Sequence, residues 1–571
     1  MANSFGSFYV GNSGLSSSQN ALNVTANNLA NVDTKGYVRQ QVVFSDRHYN
    51  EFKSEAIGVN VQQAGLGVSI GDVVHARDIF LDKAYRQETG RQAFYQVSYD
   101  TCTQVEDLFQ ELDGEEFKQS VQDLLTAFQE LAKAPGDSVN QNLVIQKSEL
   151  FLERTKVLYS DLQSYQSNLN EQIEDGINRV NEIGQRIYEL NLYIQKVEAA
   201  GVETAMTARD ERDSLLDELS VYGTVSTRED YSGFVYVDFQ EVGFVQEYGC
   251  NEIGLKSELG TGFYTPYWPH LSDLPHEQYY QVFKMGTAVS AEDNTDIGKI
   301  KALLYQRGDN YGRWDDIATS EAYSKIQNST LMEMEAQIDM LFHTVITNMN
   351  DLFCPNTTTT EPIVYINDAG DRVILPAGTK VLDTENCNVG ANGKLPPQEI
   401  FKRIATDRYT ELKGADGKSI YVYNEEKEGD SNTQYQIGSI EINLALKQQE
   451  SLLPTITQNG AVDYDLGARI IQVWETQGMT INPNDNSPCT FEEYYDKMIG
   501  NLGTKGNVFY SENETLRASA TSLDNQRTQV TGVSSDEELT KMIRYQSAYN
   551  AASRYINVIS EMTELIVTGL K

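Results

Sequence analysis

Near the C-terminus, Met542, Tyr545, Tyr549, Ala552, Ile556, Ile559, Thr563 and Ile566 recur at alternating steps of three and four. Arg544, Ser547, Asn550, Arg554, Asn557, Glu561 and Glu564 fill positions between them. This is the heptad seam of a helix that lies along another helix. Ser535 with Glu538 has the spacing of a capping box, Asp536 and Glu537 suit the dipole there, and no Gly or Pro follows before Gly569. The pattern predicts a helix over 536–568, ~50 Å long at ~1.5 Å per residue. On periodicity alone an intramolecular bundle helix is the preferred reading over an assembly seam.

At the other end Phe8, Leu15, Leu22 and Leu29 stand seven apart, with Ser, Asn and Gln filling much of the rest. Residues 1–32 carry no charge, although charged residues make up 22% of the chain. Gly6, Gly11 and Gly14 each weaken a helix by up to about 1 kcal/mol relative to Ala. The stripe offers large side chains worth about 1.5–3 kcal/mol each, against backbone ordering of about 1–2 kcal/mol per residue. Such a helix needs a partner, and the C-terminal seam is the expected one. The expected assembly interface is Phe8, Leu15, Leu22 and Leu29 with Met542, Tyr545, Tyr549, Ile556, Ile559 and Ile566, ordered only on assembly. A basic leading segment and an unbroken apolar run are both missing, which argues against a secretory signal or a membrane span.

The N-terminal helix should stop at Asn31-Val32-Asp33-Thr34-Lys35-Gly36-Tyr37, rich in turn-forming residues. Ala26-Asn27-Asn28-Leu29-Ala30-Asn31, Thr34-Lys35-Gly36-Tyr37 and Arg39-Gln40 closely resemble the N-terminal signature of the bacterial flagellar rod, hook and hook-associated proteins. Arg544-Tyr545-Gln546-Ser547-Ala548-Tyr549 with Glu561-Met562 resembles the matching end of that family. The signature residues are Asn27, Asn28, Asn31, Thr34, Gly36 and Tyr37.

Between the ends, eleven of the twelve prolines lie from Pro266 to Pro488, and only Pro135 lies outside. Long helices are therefore expected on both flanks and turn-rich β structure in the middle. Gly65–Gly71 alternates like a short strand, and a helix begins near Arg77-Asp78-Ile79-Phe80. From Leu169, Ile173, Ile177, Val180, Ile183, Ile187, Leu190, Ile194 and Val197 keep helical spacing. Arg209-Asp210-Glu211-Arg212-Asp213-Ser214-Leu215-Leu216-Asp217 reads as a salt-laced, solvated helix face. Phe234-Val235-Tyr236-Val237-Asp238-Phe239 has period two, and Leu331, Met334, Ile338, Leu341, Val345 and Leu352 give a return helix.

The expected fold is an α+β multidomain chain: terminal helices paired as a coiled coil, an elongated helical bundle body, and two inserted mainly-β domains. Its divisions are an assembly helix with signature (1–40), helical body (41–220, with a short β segment near 65–75), β insertion (221–305) and return helix (306–354). A second β insertion (355–490), a closing helical part (491–535) and a C-terminal assembly helix (536–571) follow.

A net charge of -38 argues against nucleic acid and anionic membrane surfaces as partners. Cys102, Cys250, Cys354, Cys387 and Cys489 are odd in number and form no CxxC pair, so they read as small buried hydrophobes. His48, His75, His270, His276 and His343 have no metal or triad spacing. Asp416-Gly417-Lys418-Ser419 has Leu412 where a phosphate loop needs Gly, and fits a hairpin turn better. Asp368-Ala369-Gly370-Asp371 lacks the ligand spacing of a calcium loop. No cofactor, metal or catalytic role is expected.

The resemblance covers both ends and the helical middle, and is strongest to the hook-associated branch at the junction of hook and filament. It implies a structural, non-enzymatic protein exported uncleaved by the flagellar type III apparatus to the extracellular flagellum. It also implies self-assembly into a ring or helical homo-oligomer, with hook protein, the next hook-associated protein and an export chaperone as partners. The alternatives are a hook or distal-rod protein, or a secreted carbohydrate-binding or hydrolytic protein using the β domains.

Overall fold

The computed structural model describes residues 2–34, 36–47, 50–52, 62–109, 117–199, 204–286, 289–366, 372–414, 417–427 and 429–569. Lys35, His48, Asp416 and the segment Asp368 to Asp371 lie outside them.

The chain opens with α1 (Ala2–Ala30) and an antiparallel ribbon, β1 (Gln40–Asp46) and β4 (Val68–His75), in register from Gln40↔His75 to Asp46↔Val68. A short pair, β2 (Asn50–Phe52) and β3 (Gln62–Ala64), lies between them in sequence. The helical body follows as α2 (Ile79–Phe109), α3 (Phe117–Lys133), α4 (Ser138–Glu198) and α5 (Met206–Tyr222). Asp78 Oδ1 accepts the amides of Phe80 and Leu81 and so starts α2.

The expected helix from Leu169 is the second half of α4, which begins far earlier. Asp137 caps it by accepting Val139 N at 3.0 Å. Its 61 residues bury Phe151, Leu158, Leu162, Ile173, Ile177, Val180, Ile183, Ile187 and Ile194, one apolar stripe that runs nearly its whole length.

The first β unit is a meander of β5 (Val225–Glu229), β6 (Val235–Phe239), β7 (Val242–Gln246) and β8 (Gly249–Cys250), beside the pair β9 (Gly254–Ser257) and β10 (Tyr264–Tyr267). Helices α6 (Lys299–Arg307), α7 (Ser320–Ile326) and α8 (Thr330–Phe353) return the chain to the body. The second β unit has β11 (Asn356–Thr358), β12 (Ile363–Ile366), β13 (Arg372–Leu375) and β14 (Lys380–Leu382). It continues with β15 (Phe401–Arg403), β16 (Tyr409–Gly414), β17 (Ser419–Tyr423) and β18 (Ile440–Ile442). The order β11-β14-β17-β16-β12-β13 makes one antiparallel sheet, and β15 pairs with β18. Lys418 and Ser419 enter β17 through the hairpin from β16, as Lys413↔Ser419 pairing shows.

Helices α9 (Leu444–Gln448), α10 (Leu466–Glu475), α11 (Phe491–Thr531) and α12 (Ser535–Gly569) close the chain. One continuous apolar core joins α3, α4, α8 and the start of α11, and both β units feed it, through Phe239, Phe244 and Trp268 on one side and Phe401 and Ile440 on the other. The fold is thus α+β and multidomain, with long helices at both ends. All five cysteines are unpaired, and only Cys250 is not fully buried.

Candidate assembly site where the two chain ends meet

Helices α1 and α12 run antiparallel: Gly11 meets Tyr555 and Ile556, Gly14 meets Ala552, and Asn28 reaches Glu538. On this side of α1 stand Gly11, Gly14, Ser18, Ala21, Thr25 and Asn28, at alternating steps of three and four and all buried except half-buried Gly14. A β-carbon on Gly11 would lie 2.8 Å from Ile556 Cγ1, so the backbones approach more closely than a side chain there would allow. The α12 side supplies the bulk. Met542, Tyr545, Tyr549, Ala552, Ile556 and Ile559 are half-buried along it, and Tyr545 also meets the ring of Phe44 on β1 edge-on at 6.0 Å. Ile566 is 49% exposed, because the antiparallel pairing has passed the first residues of α1.

Phe8, Leu15, Leu22 and Leu29 sit beside this seam rather than on it. Phe8 is 47% exposed, and the three leucines are half-buried. Hydrophobic spacing finds large side chains, whereas close helix contact selects small ones, and here the two stripes are one position apart. The opposite flank of α1 is taken by the β1–β4 ribbon, where Val68 N donates to Ser13 Oγ at 3.2 Å and Ser17 Oγ donates to Val68 O at 3.3 Å. The leucine stripe is the flank that faces away from the ribbon.

The signature residues form one hydrogen-bonded knot. Asn28 is 1% exposed. Its Oδ1 accepts Tyr37 OH at 2.8 Å and Gln40 N at 3.0 Å; its Nδ2 donates to Gln40 O at 2.9 Å and Glu538 Oε2 at 3.0 Å. The amide's full capacity is used. Asn27 Nδ2 donates to Tyr37 OH at 3.3 Å, Asn31 Nδ2 to Asn27 O at 2.9 Å, and Thr34 Oγ1 to Asn31 Oδ1 at 3.1 Å. Gly36 has φ +82, a conformation in which a β-carbon is strained. Burial, helped by Asp210 and Glu538, pushes the Tyr37 hydroxyl up to about 12, so it stays a donor.

Glu538 departs from the capping box its spacing predicts. The residue before α12 is Ser534, whose oxygens face Glu538 N (3.0 Å) and Glu537 N (3.5 Å). The Glu538 carboxylate, 1% exposed, takes Asn28 and Lys541 Nζ, the latter at 2.6 Å. A buried tertiary partner replaces the local return to the backbone. A reciprocal box does form at α11, between Thr490 and Glu493. Arg39 adds a second tie, with N to Thr531 O at 2.8 Å and a guanidinium contact to Glu537 at 2.9 Å.

Below the knot lies an ionic hub, and it corrects the solvated reading of residues 209–217. Arg77 pairs with Asp213 and Asp82; Arg86 Nε meets Asp217 at 2.7 Å. From α11, Arg527 reaches Asp82 at 2.8 Å and Asp217 at 2.6 Å while its guanidinium lies 4.3 Å over the Tyr85 ring. Arg212 is 2% exposed and donates to Asn191 Oδ1 (3.0 Å) and Gly233 O (2.8 Å). Only members such as Glu211, paired with Arg186, remain in solvent. Charge alternation is the same whether a helix faces water or other charged helices, so the pattern carried no sign of burial. Asp210 reaches Val38 N at 3.5 Å and His75 Nε2 at 3.3 Å. Burial dominates at both groups, pushing His75 down to about 4 and Asp210 up to about 6.

This arrangement holds helices together; it contains no nucleophile with a base beside it. Among the described residues no group of three or more His, Cys, Asp or Glu could hold a metal ion, and no helix is long and apolar enough to cross a membrane.

Comparison with known proteins matches three family models. Residues 102–353 fit the flagellar hook-associated protein FlgK helical domain, 8–37 the flagella basal body rod protein, and 525–568 the C-terminal part of the flagellar basal body rod FlgEFG protein. Flagellar hook-associated protein 1 of Bacillus subtilis is 25% identical, covering 97% of this chain and 96% of that protein. Flagellar hook-associated protein 1 of Salmonella typhimurium is 20% identical, covering 97% and 98%. The solved flagellar hook junction protein FlgK from Burkholderia pseudomallei overlays at a TM-score of 0.45 and 12% identity, covering 79% of this chain and 99% of that one.

Proposed function

The chain belongs to the flagellar hook-associated protein 1 family, and from that premise we propose that it assembles through its paired terminal helices into the junction between flagellar hook and filament. The observation that carries this reading is similarity along 97% of the chain to a relative of that name, with both ends matching flagellar rod models. The family is a structural component of the flagellum. Copies of the chain pack side by side as a ring or short helix, using the flank of Leu15, Leu22 and Leu29 and the exposed face of α12. That face carries Ile543 (66% exposed), Val558 (52%), Met562 (55%) and Leu565 (71%), an apolar run of the kind that marks interaction surfaces.

Hook protein on one side and the next hook-associated protein on the other are the proposed neighbours, with an export chaperone before assembly. Export without cleavage through the flagellar type III apparatus fits the neutral, Asn-rich first helix. No catalytic step is proposed. The match of 102–353 to a hook-associated helical domain favours the junction over a hook or distal-rod place. Deleting the gene and imaging cells by electron microscopy tests this: hooks without filaments, with flagellin shed to the medium, is expected, and normal filaments would overturn it.

A further inference from the structure

A cleft of about 620 Å³ opens where α2, the end of α5, the β6–β7 hairpin and the start of α6 meet, with Arg86 of the ionic hub in its lining. Its volume suits a small ligand or a few residues of peptide. Lys301, in the first turn of α6, lines it at 7% exposure. Its ammonium makes no hydrogen bond or ion pair with any described residue. Asp296, the acid whose charge acts on it, is engaged by Arg91 Nε at 3.2 Å and Tyr95 OH at 3.4 Å. Lys301 Nζ stands 5.9 Å from the centroid of the Tyr305 ring, and a largely desolvated ammonium that has no acceptor is costly.

A second donor in the same lining lacks an acceptor. Gln240 Nε2 is buried and without a partner among the described residues. It lies over Gly223, where a β-carbon would come within 2.7 Å of it. Gln240 and Glu241 form the hairpin turn with φ +50 and +65, two successive non-glycine residues in the left-handed region. The remaining charges in the lining are mostly committed. Arg86 is held by Asp217 at 2.7 Å, and Lys284 meets Glu241 at 2.8 Å. Lys83 and Asp293 also line the cleft.

We propose that this cleft binds a carboxylate, with Lys301 Nζ and Gln240 Nε2 as its donors and Val225, Val282 and Ile297 against the carbon chain. Lys301 is the one buried lysine of the lining, Lys83 and Lys284 being exposed, and its single charge matches a monoanion. A phosphate dianion would bring surplus charge beside Asp293 and Glu241 and would find neither an Arg fork nor a nest of free amides. The carboxylate is either a free short acid or a Glu side chain on a neighbouring polypeptide.

The test titrates the full chain with butyrate, with the blocked peptide Ac-Ala-Glu-Ala-NH2 and with inorganic phosphate, read by saturation-transfer NMR and thermal shift. Butyrate or the peptide should bind and raise Tm. Lys301→Met should weaken that binding at least about tenfold, equivalent to ~1.4 kcal/mol, while Lys301→Arg retains it. Tighter butyrate points to a free acid, and tighter peptide to a neighbouring chain. Lys301→Met should also raise Tm without ligand, since it removes the buried unpaired charge, which shows at once that the variant folds. Binding unchanged in Lys301→Met, phosphate bound more tightly than both carboxylates, or no binding at all would each overturn the proposal.

Discussion

Asn28 Nδ2 donates to Glu538 Oε2 at 3.0 Å across 510 residues of sequence. Because the same amide also holds Tyr37 and Gln40, this single side chain joins the first helix, the turn after it, the first strand and the last helix.

Asn28→Ala should therefore cost about 2–5 kcal/mol, since it leaves Glu538 Oε2 and the Gln40 backbone without their partner in a dry site, even though Lys541 still holds Glu538 Oε1. Asn28→Asp should cost more at neutral pH, because two carboxylates then face each other, and Glu538→Gln should recover much of that loss. Thermal unfolding of the two singles and the double measures the coupling. Additive effects would mean that the contact carries no energy.

Gly11→Leu should separate α1 from α12 without unfolding the body. The added side chain collides with Ile556 Cγ1 and Tyr555 at the closest approach of the helices. Hydrogen exchange should rise over 542–559 and stay unchanged in α4. Gly6→Leu is the control, as a β-carbon at Gly6 meets nothing within 4 Å. Equal exchange in both variants would show that the seam tolerates bulk.

Leu22→Asp tests the flank proposed for contact between copies. Leu22 is half-buried beside the seam and Asn23 is exposed, so Asn23→Asp is the matched control. The first should abolish incorporation at hook tips, at several kcal/mol per subunit interface, and the second should assemble nearly normally. Ser17 makes a poor control because it is buried against the ribbon at 6% exposure. Normal motility of Leu22→Asp would reject this flank as an interface.

Glu335 on α8 gives the stability a pH dependence. One oxygen accepts Gly312 N at 2.6 Å, the other has no partner among the described residues, and burial pushes the carboxyl up to about 8. A folded-state value above the unfolded one means that the native chain holds a proton the unfolded chain releases. Stability is then full below the ordinary glutamate range, about pH 4.5, and declines as pH rises from there towards 8. Asp339 and Asp316 lie close by and add in the same direction. Glu335→Gln keeps the acceptor for Gly312 and should remove most of the decline, gaining ~2–4 kcal/mol near pH 8. If the Tm of the variant tracked that of the native chain across this range, the proton would not be on Glu335.

What the sequence revealed depended on how each contact writes itself into residue type. The seam of α12 is made of Met, Tyr and Ile at heptad spacing, and flanks with Pro135 as their single proline leave long helices, so both were legible. The facing seam of α1 is Gly, Gly, Ser, Ala, Thr and Asn, which hydrophobicity does not count. A search for small residues at steps of three and four would have found it. Glu538 chose a distant amide over its own cap, a competition that local spacing does not resolve. Arg212, Asp213 and Asp217 alternate like a solvated face and are instead clasped by α2, α11 and the first β unit. The start of α4 at Ser138 was obscured because its first half buries Thr155, Ser148 and Gln166 as well as apolar residues, diluting the period.

The length of α4 also makes the molecule a lever. Its N-terminal half holds the second β unit, with Gln141 Nε2 to Thr455 Oγ1 at 3.1 Å and Lys156 Nζ to Ile440 O at 2.8 Å. Its C-terminal half holds the first, with Asn181 Nδ2 to Ile253 O at 3.0 Å and Asn191 Nδ2 to Val235 O at 2.8 Å. Between them no Pro interrupts the ladder of i to i−4 bonds, so a twist applied to one β unit reaches the other as torsion of a single stiff rod. Both β units are thereby bonded to one unbroken helix, so that neither can turn about its axis without drawing on the contacts of the other.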